Sequence, residues 1–336
     1  MKEYNIAIVG ASGAVGHEFL KVLDERNFPV GELRLLATER SAGKMMAFRG
    51  QEYQVMTTNV DSFLGVDIAL FAGGSASLEY GPAAVAAGAI VIDNSSNYRY
   101  NDDIPLVVPE VNPEDLDWHK GIIANPNCST IQLVVALKPL HDAAGIKRIV
   151  CSTYQAVSGA GLPGLEELED QTAHIIKGEP ISCAAFKHQI AFNVIPQIDV
   201  LLPGGYYKEE MKMVWETQKM LHNKNIRVSC TCVRVPVFRS HSESINIEFE
   251  SPLSSDKARE ILRQAKGVIV VDEPEDFNYP MPILSSDTDE VYVGRIREDI
   301  SVENGICLWV VADQIRKGAA TNAIQIAESL IERNLI

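Results

Sequence analysis

A two-domain α/β protein is what this sequence predicts, and three observations predict it. Strand-like and helix-like segments alternate through the first 127 residues, a glycine-rich turn follows the first strand, and longer period-two segments come after residue 128. Alternation of the first kind implies a parallel sheet with helices on both faces. Period-two segments are those of half-buried antiparallel strands, so the second domain is expected to be α+β with a largely antiparallel sheet.

Asn5–Val9 reads as the first strand, and about Val15 to Asn27 as an amphipathic helix. Leu33–Ala37, Asp67–Phe71 and Ala89–Asp93 read as further strands, with a helix through Ala87 opening after Gly73-Gly74-Ser75. Gly10, Thr38, Gly73 and Asn94 thereby fall at or near carboxyl ends of strands, where parallel sheets bind ligands. In Gly121–Gln132 an apolar strand-like stretch breaks at Asn125-Pro126-Asn127 and an apolar helix-like stretch begins. Beyond it, Lys147–Val157 reads as a long strand, Gly164–Lys177 and Lys208–Leu221 as helices, and Arg227–Val237 and Ser244–Glu250 as antiparallel strands. In Gln314–Asn334 the apolar residues Ile315, Ala319, Ala323, Ile326, Ala327 and Leu330 recur at helix spacing, a segment expected to pack back on the first domain. The expected domains are residues 1–127 with 314–336, and residues 128–313.

With 336 residues, 46% hydrophobic and 22% charged, the chain has room for two ordinary cores. Its formal net charge of −15 argues against a nucleic-acid or anionic-membrane partner, so a bound phosphate must be held by individually placed cations. Met1–Asn5 runs straight into the first strand, which is neither a signal peptide nor a membrane span. Six cysteines occur without a CxxC pair; Cys230 and Cys232 alternate along a strand, and no His/Cys pair at metal-site spacing accompanies them. The expectation is a reduced, cytoplasmic protein without a metal.

Cys128 is the most informative residue. At a helix N-terminus, exposed N–H groups and the helix dipole favour the thiolate, the nucleophilic form of sulfur. Gly10-Ala-Ser-Gly13-Ala-Val-Gly16 closes the first strand and opens the first helix, as a Rossmann-like dinucleotide-binding domain requires. At the end of the second strand, Arg40 with Thr38, Ser41 and Lys44 forms a cradle for a 2′-phosphate, so NADP is favoured; Glu39 is the dissenting residue.

A nicotinamide fold plus a helix-start cysteine suggests aldehyde or acyl-phosphate chemistry through a thioester. The sequence here resembles aspartate-β-semialdehyde dehydrogenase. The resemblance is carried by Gly10–Gly16, Glu39–Lys44, Asp93–Arg99, Val108–Pro113, Asn125–Gln132, Thr153–Gly161, Arg234–Val237, Ser240–Ser242 and Arg316–Glu328, in order across nearly the whole chain. It implies reductive dephosphorylation of L-aspartyl-β-phosphate by a cytoplasmic, NADP-dependent homodimer serving lysine (diaminopimelate), threonine and methionine biosynthesis. It further implies Cys128 as nucleophile, His241, in the turn between two strands, as general acid/base, Gln155 as an orienting group and Asn127 for the oxyanion. Arg99 would bind phosphate, Arg234 the substrate α-carboxylate, Glu209 its ammonium, and Lys212 would lie near the phosphate. The implied cofactor site comprises Gly10, Ser12, Gly13, Ala14, Val15, Thr38, Arg40, Ser41, Gly73, Ser75, Asn94, Ser158, Gly159 and Asn322. Asn97-Tyr98 before Arg99, Gln314 after Asp313, and Thr321 depart from the family's usual residues, without removing a required chemical group. Two alternatives stand beside this reading: an N-acetyl-γ-glutamyl-phosphate reductase, whose substrate has no ammonium for Glu209, and a non-catalytic NADP-binding paralogue.

Overall fold

The computed structural model describes residues 2–336. The chain divides into two compact units, Met1–Asn127 with Ala319–Ile336, and Cys128–Gly318.

Unit one is built on seven strands: β1 (Tyr4–Val9), β2 (Val30–Ala37), β3 (Met45–Phe48), β4 (Gln51–Thr57), β5 (Ile68–Phe71), β6 (Ile90–Asp93) and β7 (Ile122–Ala124). Their order is β3-β4-β2-β1-β5-β6-β7, and every neighbouring pair is parallel except β3–β4. Helix α1 (Ala14–Glu25) follows β1 and α2 (Ala76–Ala86) follows β5. Successive residues of a strand point to opposite faces, and here both faces are apolar because both are covered.

Unit two opens with α3 (Cys128–Ala144) and continues through β8 (Ile146–Gln155), α4 (Leu162–Lys177), α5 (Lys208–Met220), β9 (Arg227–Arg234), β10 (His241–Phe249) and α6 (Ser255–Gln264). It closes with β11 (Val268–Val270), α7 (Pro282–Ser285), β12 (Val291–Glu298) and β13 (Gly305–Ala312). The sheet order is β11-β12-β13-β10-β8-β9. Its three central pairs are antiparallel, as expected, but β9 runs parallel to β8 because α4 and α5 form a crossover between them. Helices α3, α5 and α6 cover one face. On the other face Tyr154 and Trp309 lie with ring centroids 5.3 Å apart, and Tyr154 is 39% exposed.

The last helix, α8 (Thr321–Glu332), belongs to unit one. Ile6 and Ile8 of β1 share a core with Phe19 and Leu23 of α1 and with Ala323, Ile326, Ala327 and Leu330 of α8. Ala7 and Val9 face the opposite way, joining Ala69, Phe71 and Ala84. The helix is shorter than its apolar period predicts: residues 316–320 form a π-helical turn first.

Candidate active site

Three adjacent strands of unit two set one row of side chains. Gln155 ends β8 and pairs with Arg234, which ends β9. Ser242 of β10 pairs with Tyr154, and the same register carried one residue further sets His241 opposite Gln155. Paired residues project to the same face of a sheet. His241, Gln155 and Arg234 therefore stand side by side on the helix-covered face, at 1%, 1% and 7% exposure. His241 is the first residue of β10, not a turn residue as the sequence suggested.

Cys128 is the first residue of α3 and is half-buried. Gly318 packs so closely against it that a Cβ there would lie 2.8 Å from Cys128 Cβ. Behind Gln155 lies a polar chain. Gln155 Nε2 donates to Ser129 Oγ and, at 3.1 Å, to Glu209 Oε1. Lys212 Nζ donates at 2.9 Å to Glu209 Oε2 and at 2.8 Å to Asp199 Oδ2. Glu209 and Lys212 share one face of α5, as their spacing predicted, and both are largely buried. Burial alone would pull the Lys212 ammonium down, but Glu209 and Asp199 outweigh it and hold it above the ordinary lysine range.

Arg234 and His241 meet at Ala156. Arg234 Nη1 donates to the Ala156 carbonyl at 2.6 Å, leaving the rest of the guanidinium for a bidentate partner. The Ala156 N–H donates to His241 Nδ1 at 3.0 Å. Nδ1 is thereby an acceptor, which places the proton of the neutral ring on Nε2. Nε2 is buried without a protein partner. Burial, reinforced by Arg234, pulls the His241 pKa down to about 3. Burial also lowers Arg234, opposed by Glu209 and Cys128. The Gly159 backbone closes the group: a Cβ there would meet Arg234 Nη1 at 2.7 Å and His241 Nε2 at 3.4 Å. Ser158 Oγ accepts from Gln314 Nε2, while Gln314 Oε1 accepts from Ser240 N at 2.7 Å. The unusual Gln314 thus pins the residue preceding His241.

Unit one gathers the nucleotide-binding candidates at the carboxyl edge of its sheet. Gly10 (φ +84°) ends β1, and a Cβ on Gly16 would strike the Ala11 carbonyl at 2.3 Å, so the turn Gly10-Ala11-Ser12-Gly13-Ala14-Val15-Gly16 requires glycine there. Thr38, Glu39 and Arg40 are exposed beyond β2 and Ser41 is buried beneath them. Gly73 and Ser75 lie between β5 and α2. Both polar ends of the Asn94 side chain are buried without a partner. A dinucleotide fits these residues: the turn offers backbone N–H groups to a pyrophosphate, Arg40 offers charge, and Asn94 offers an unpaired donor and acceptor.

Arg99 follows β6, 6% exposed, with Nη2 donating to the Asn94 carbonyl at 2.7 Å. The two departures before it are anchors: Asn97 Nδ2 donates to the Gly74 carbonyl and to Ser77 Oγ, each at 2.9 Å, and the Tyr98 hydroxyl donates to the Ser77 carbonyl. Asp93, raised by burial against the hydrogen bonds of Ser95 and Ser77, completes that support. Asn127 is 5% exposed, just ahead of Cys128. Asn322, expected at the cofactor, lies at the start of α8. It is fully buried, its Nδ2 donating to the Val107 carbonyl at 3.0 Å and Asn125 Oδ1 at 2.7 Å, a clamp at the start of α8. Sequence reasoning missed Ser129, Gln314 and Gly318; each adjoins a residue it had named, but only the fold shows the contact.

No group of described residues is arranged to hold a metal ion, and none of the described helices is long and apolar enough to cross a membrane. The sequence matches the family described as "Semialdehyde dehydrogenase, NAD binding domain" over residues 5–119 and "Semialdehyde dehydrogenase, dimerisation domain" over 137–317. It is 60% identical to an aspartate-semialdehyde dehydrogenase of Aquifex aeolicus, covering 99% of each chain, and 49% identical to that of Bacillus subtilis, again covering 99% of each. The fold superposes on the crystal structure of aspartate semialdehyde dehydrogenase II complexed with ASA from Vibrio cholerae with a TM-score of 0.95, at 51% identity and 99% coverage of both chains. Against the Candida albicans enzyme with NADP the TM-score is 0.79, at 28% identity and full coverage of both chains. Matched by both family models and over 99% of its length by relatives 60% and 49% identical to it, the chain belongs to the aspartate-semialdehyde dehydrogenase family.

Proposed function

We propose that the chain reduces L-aspartyl-β-phosphate to L-aspartate β-semialdehyde and phosphate, at a step serving lysine, threonine and methionine synthesis, as a cytoplasmic homodimer. The observation that carries this reading is the juxtaposition of His241, Gln155 and Arg234 in one buried row of the unit that begins at Cys128.

In this reading the Cys128 thiolate attacks the acyl carbon, the carbon–oxygen bond to phosphate breaks, and a thioester forms. NADPH, held by the Gly10–Gly16 turn, Arg40 and Asn94, supplies the hydride when bound. His241 donates a hydrogen bond through Nε2–H to the oxygen that gains negative charge at each tetrahedral stage, and Asn127 assists. That oxygen then re-forms its carbonyl as the carbon–sulfur bond breaks, so the semialdehyde leaves and the thiolate returns without a net proton transfer to His241. Such donation fits a neutral imidazole whose Nδ1 is occupied by Ala156 better than the general acid/base role that the resemblance implies. Arg234 takes the α-carboxylate and Glu209 the ammonium, with Lys212 and Gln155 holding Glu209 in place. Arg99 is assigned to the phosphate on the sequence resemblance. An acetylated substrate would bring no cation to Glu209, which disfavours an N-acetyl-γ-glutamyl-phosphate reductase.

The test runs the reaction in reverse: NADPH formation from L-aspartate β-semialdehyde, with and without phosphate, for wild type and Cys128→Ala. Phosphate-dependent turnover that vanishes in the variant supports substrate, acceptor and nucleophile together. A folded wild type that binds NADP yet stays silent refutes the proposal.

A further inference from the structure

The connection from α4 to α5, residues 178–207, carries no helix or strand of its own, yet it is tied down where it passes Arg234. Connections of that length inside a compact unit are uncommon, and many serve a site. Helix α4 does the tying. Its buried positions Gly164, Glu167, Leu168 and Gln171 recur three and four residues apart, so they form one face.

Four donors converge on the buried Glu167 side chain. The N–H groups of Ala184, at 2.6 Å, and of Ala185 donate to Oε2. Those of Phe186, at 3.3 Å, and Gln171 Nε2, at 3.1 Å, donate to Oε1. An amide in place of the carboxyl group would set its NH2 against two of these donors whichever way it turned. Gln171 Oε1 in turn accepts from the N–H groups of Ile190 at 2.9 Å and Ala191 at 3.1 Å, while its Nε2 also donates to the Ser182 carbonyl at 2.8 Å. Residues 182–185 are exposed, so a buried acidic group anchors a stretch of chain that has little core of its own.

These bonds place two contacts on Arg234. The Phe186 ring is half-buried, and a Cβ on Gly164 would crowd its tip at 3.2 Å. The Arg234 guanidinium carbon lies over that ring, 5.9 Å from its centroid. A cation and an aromatic face attract within about 6 Å. Further along, Ile195 exchanges both backbone hydrogen bonds with Arg234, each 2.9 Å. With Nη1 on the Ala156 carbonyl, Arg234 is thus held at its backbone, at one edge and on one face.

We propose that Phe186 is a positioning residue for substrate binding: anchored through Glu167, its ring lies on Arg234 and sets the guanidinium for the substrate α-carboxylate. This rests on the carboxylate role given to Arg234 above. An aromatic face suits the task because it orients a guanidinium without consuming one of its hydrogen-bond donors.

Phe186→Leu, Phe186→Tyr, Glu167→Gln and the Glu167→Gln/Phe186→Leu double variant test the proposal in the full-length protein. The readouts are kcat and KM for L-aspartate β-semialdehyde, kcat/KM for 3-aminopropanal (the same aldehyde without the α-carboxylate), and the Arg234 guanidinium NMR signal, assigned with Arg234→Lys. Phe186→Leu should move the Arg234 signal and raise KM for the semialdehyde about fivefold, the scale of one partly buried cation–aromatic contact, with kcat unchanged. Its kcat/KM for 3-aminopropanal should stay at the wild-type value, however low that is. Phe186→Tyr keeps the ring and should keep KM. Glu167→Gln should match Phe186→Leu, and the double variant should be no worse than either single one. The proposal is overturned if Phe186→Leu leaves KM for the semialdehyde unmoved, if both aldehydes lose alike, if Tyr loses as much as Leu, or if the two changes add. Should Glu167→Gln fail to fold, Phe186→Leu and Phe186→Tyr decide on the same criteria. A wild type with equal kcat/KM for both aldehydes would sink the carboxylate role of Arg234, whereas an Arg234 signal that Phe186→Leu does not move would sink the contact itself.

Discussion

Gly318→Ala should disable the enzyme while leaving it folded. The new Cβ would stand 2.8 Å from Cys128 Cβ and 3.2 Å from its Cα. Carbon atoms pack at about 3.5–4.0 Å, so a gap of about 1 Å must be opened. No rotamer change can open it, because the atoms met are the root of the cysteine and its backbone. The first turn of α3 must move, and the sulfur with it. A reacting group misplaced by about 1 Å loses on the order of 100-fold in rate, or about 2.7 kcal/mol of transition-state stabilisation. Folding should suffer less. Overpacking costs about 1–3 kcal/mol, and alanine in place of glycine in a helical turn returns up to about 1 kcal/mol. The expected result is a Tm within several degrees of wild type, a kcat about 100-fold lower and a changed rate of Cys128 alkylation by iodoacetamide. A kcat within about threefold of wild type, with unchanged alkylation, would refute this account of how Cys128 is held.

Gly159→Ala should act on the other wall, its Cβ pressing Arg234 Nη1 and the His241 ring; steady-state kinetics should show KM for the semialdehyde rising along with a fall in kcat, and an unchanged KM would contradict it. Lys212→Met strands the buried Glu209 carboxylate and should destabilise the fold by about 3 kcal/mol in urea unfolding, with Glu209→Gln in the same chain restoring most of it. Because His241 sits at about 3 in the folded protein, NADPH formation should show no inflection at the ordinary histidine pKa of about 6.5. The unfolded chain takes up that proton below about pH 6.5 and the folded protein does not, so this contribution to stability is present above that pH and is lost as pH falls toward 3; His241→Asn should flatten the slope in unfolding measured across the window. Glu243, fully buried on β10, has the opposite sign. Its folded pKa is raised, so stability is full below the ordinary carboxylate pKa of 4.5 and declines as pH rises above it. Glu243→Gln should therefore gain over wild type in Tm at pH 8 compared with pH 5, and parallel Tm curves would count against a neutral acid.

What the sequence displayed most clearly was whatever repeats locally. β1, its glycine turn and α1 follow from a run of apolar residues, three glycines and a helical period, and they fold within a few residues of their expected bounds. The start of α3 at Cys128 was equally legible, because Asn-Pro-Asn can end one element and admit the next. The hairpin of β3 and β4 was invisible: it has no turn stronger than Arg49-Gly50, and only part of its sequence is apolar. β13 was missed although Ile306–Val311 is strongly apolar, since a short buried run does not distinguish strand from helix. The parallel pairing of β9 was out of reach for another reason. Period two reports which face is buried and says nothing about the direction of the neighbour. The site divided in the same way. Cys128 announced itself by its local setting, but His241, Gln155 and Arg234 become a group only through register, and the supports Ser129, Gln314 and Gly318 through contacts distant in sequence.

Unit two is an insertion, entered at Cys128 and left at Gly318, and those two residues touch. A 191-residue excursion (residues 128–318) thus begins and ends at a single point, and Cys128 occupies that point. Closing a loop whose ends already meet asks little of the surrounding fold, so the excursion can lengthen or shorten without disturbing its anchor. The same geometry makes the pair of crossings a natural place to cut and rejoin the gene. A short linker from Gly318 back to Cys128 would give a circularly permuted chain with its new termini at any exposed loop of the insertion. The sulfur chemistry would then be carried by a continuous segment whose tether to the nucleotide-binding unit is a matter of engineering choice.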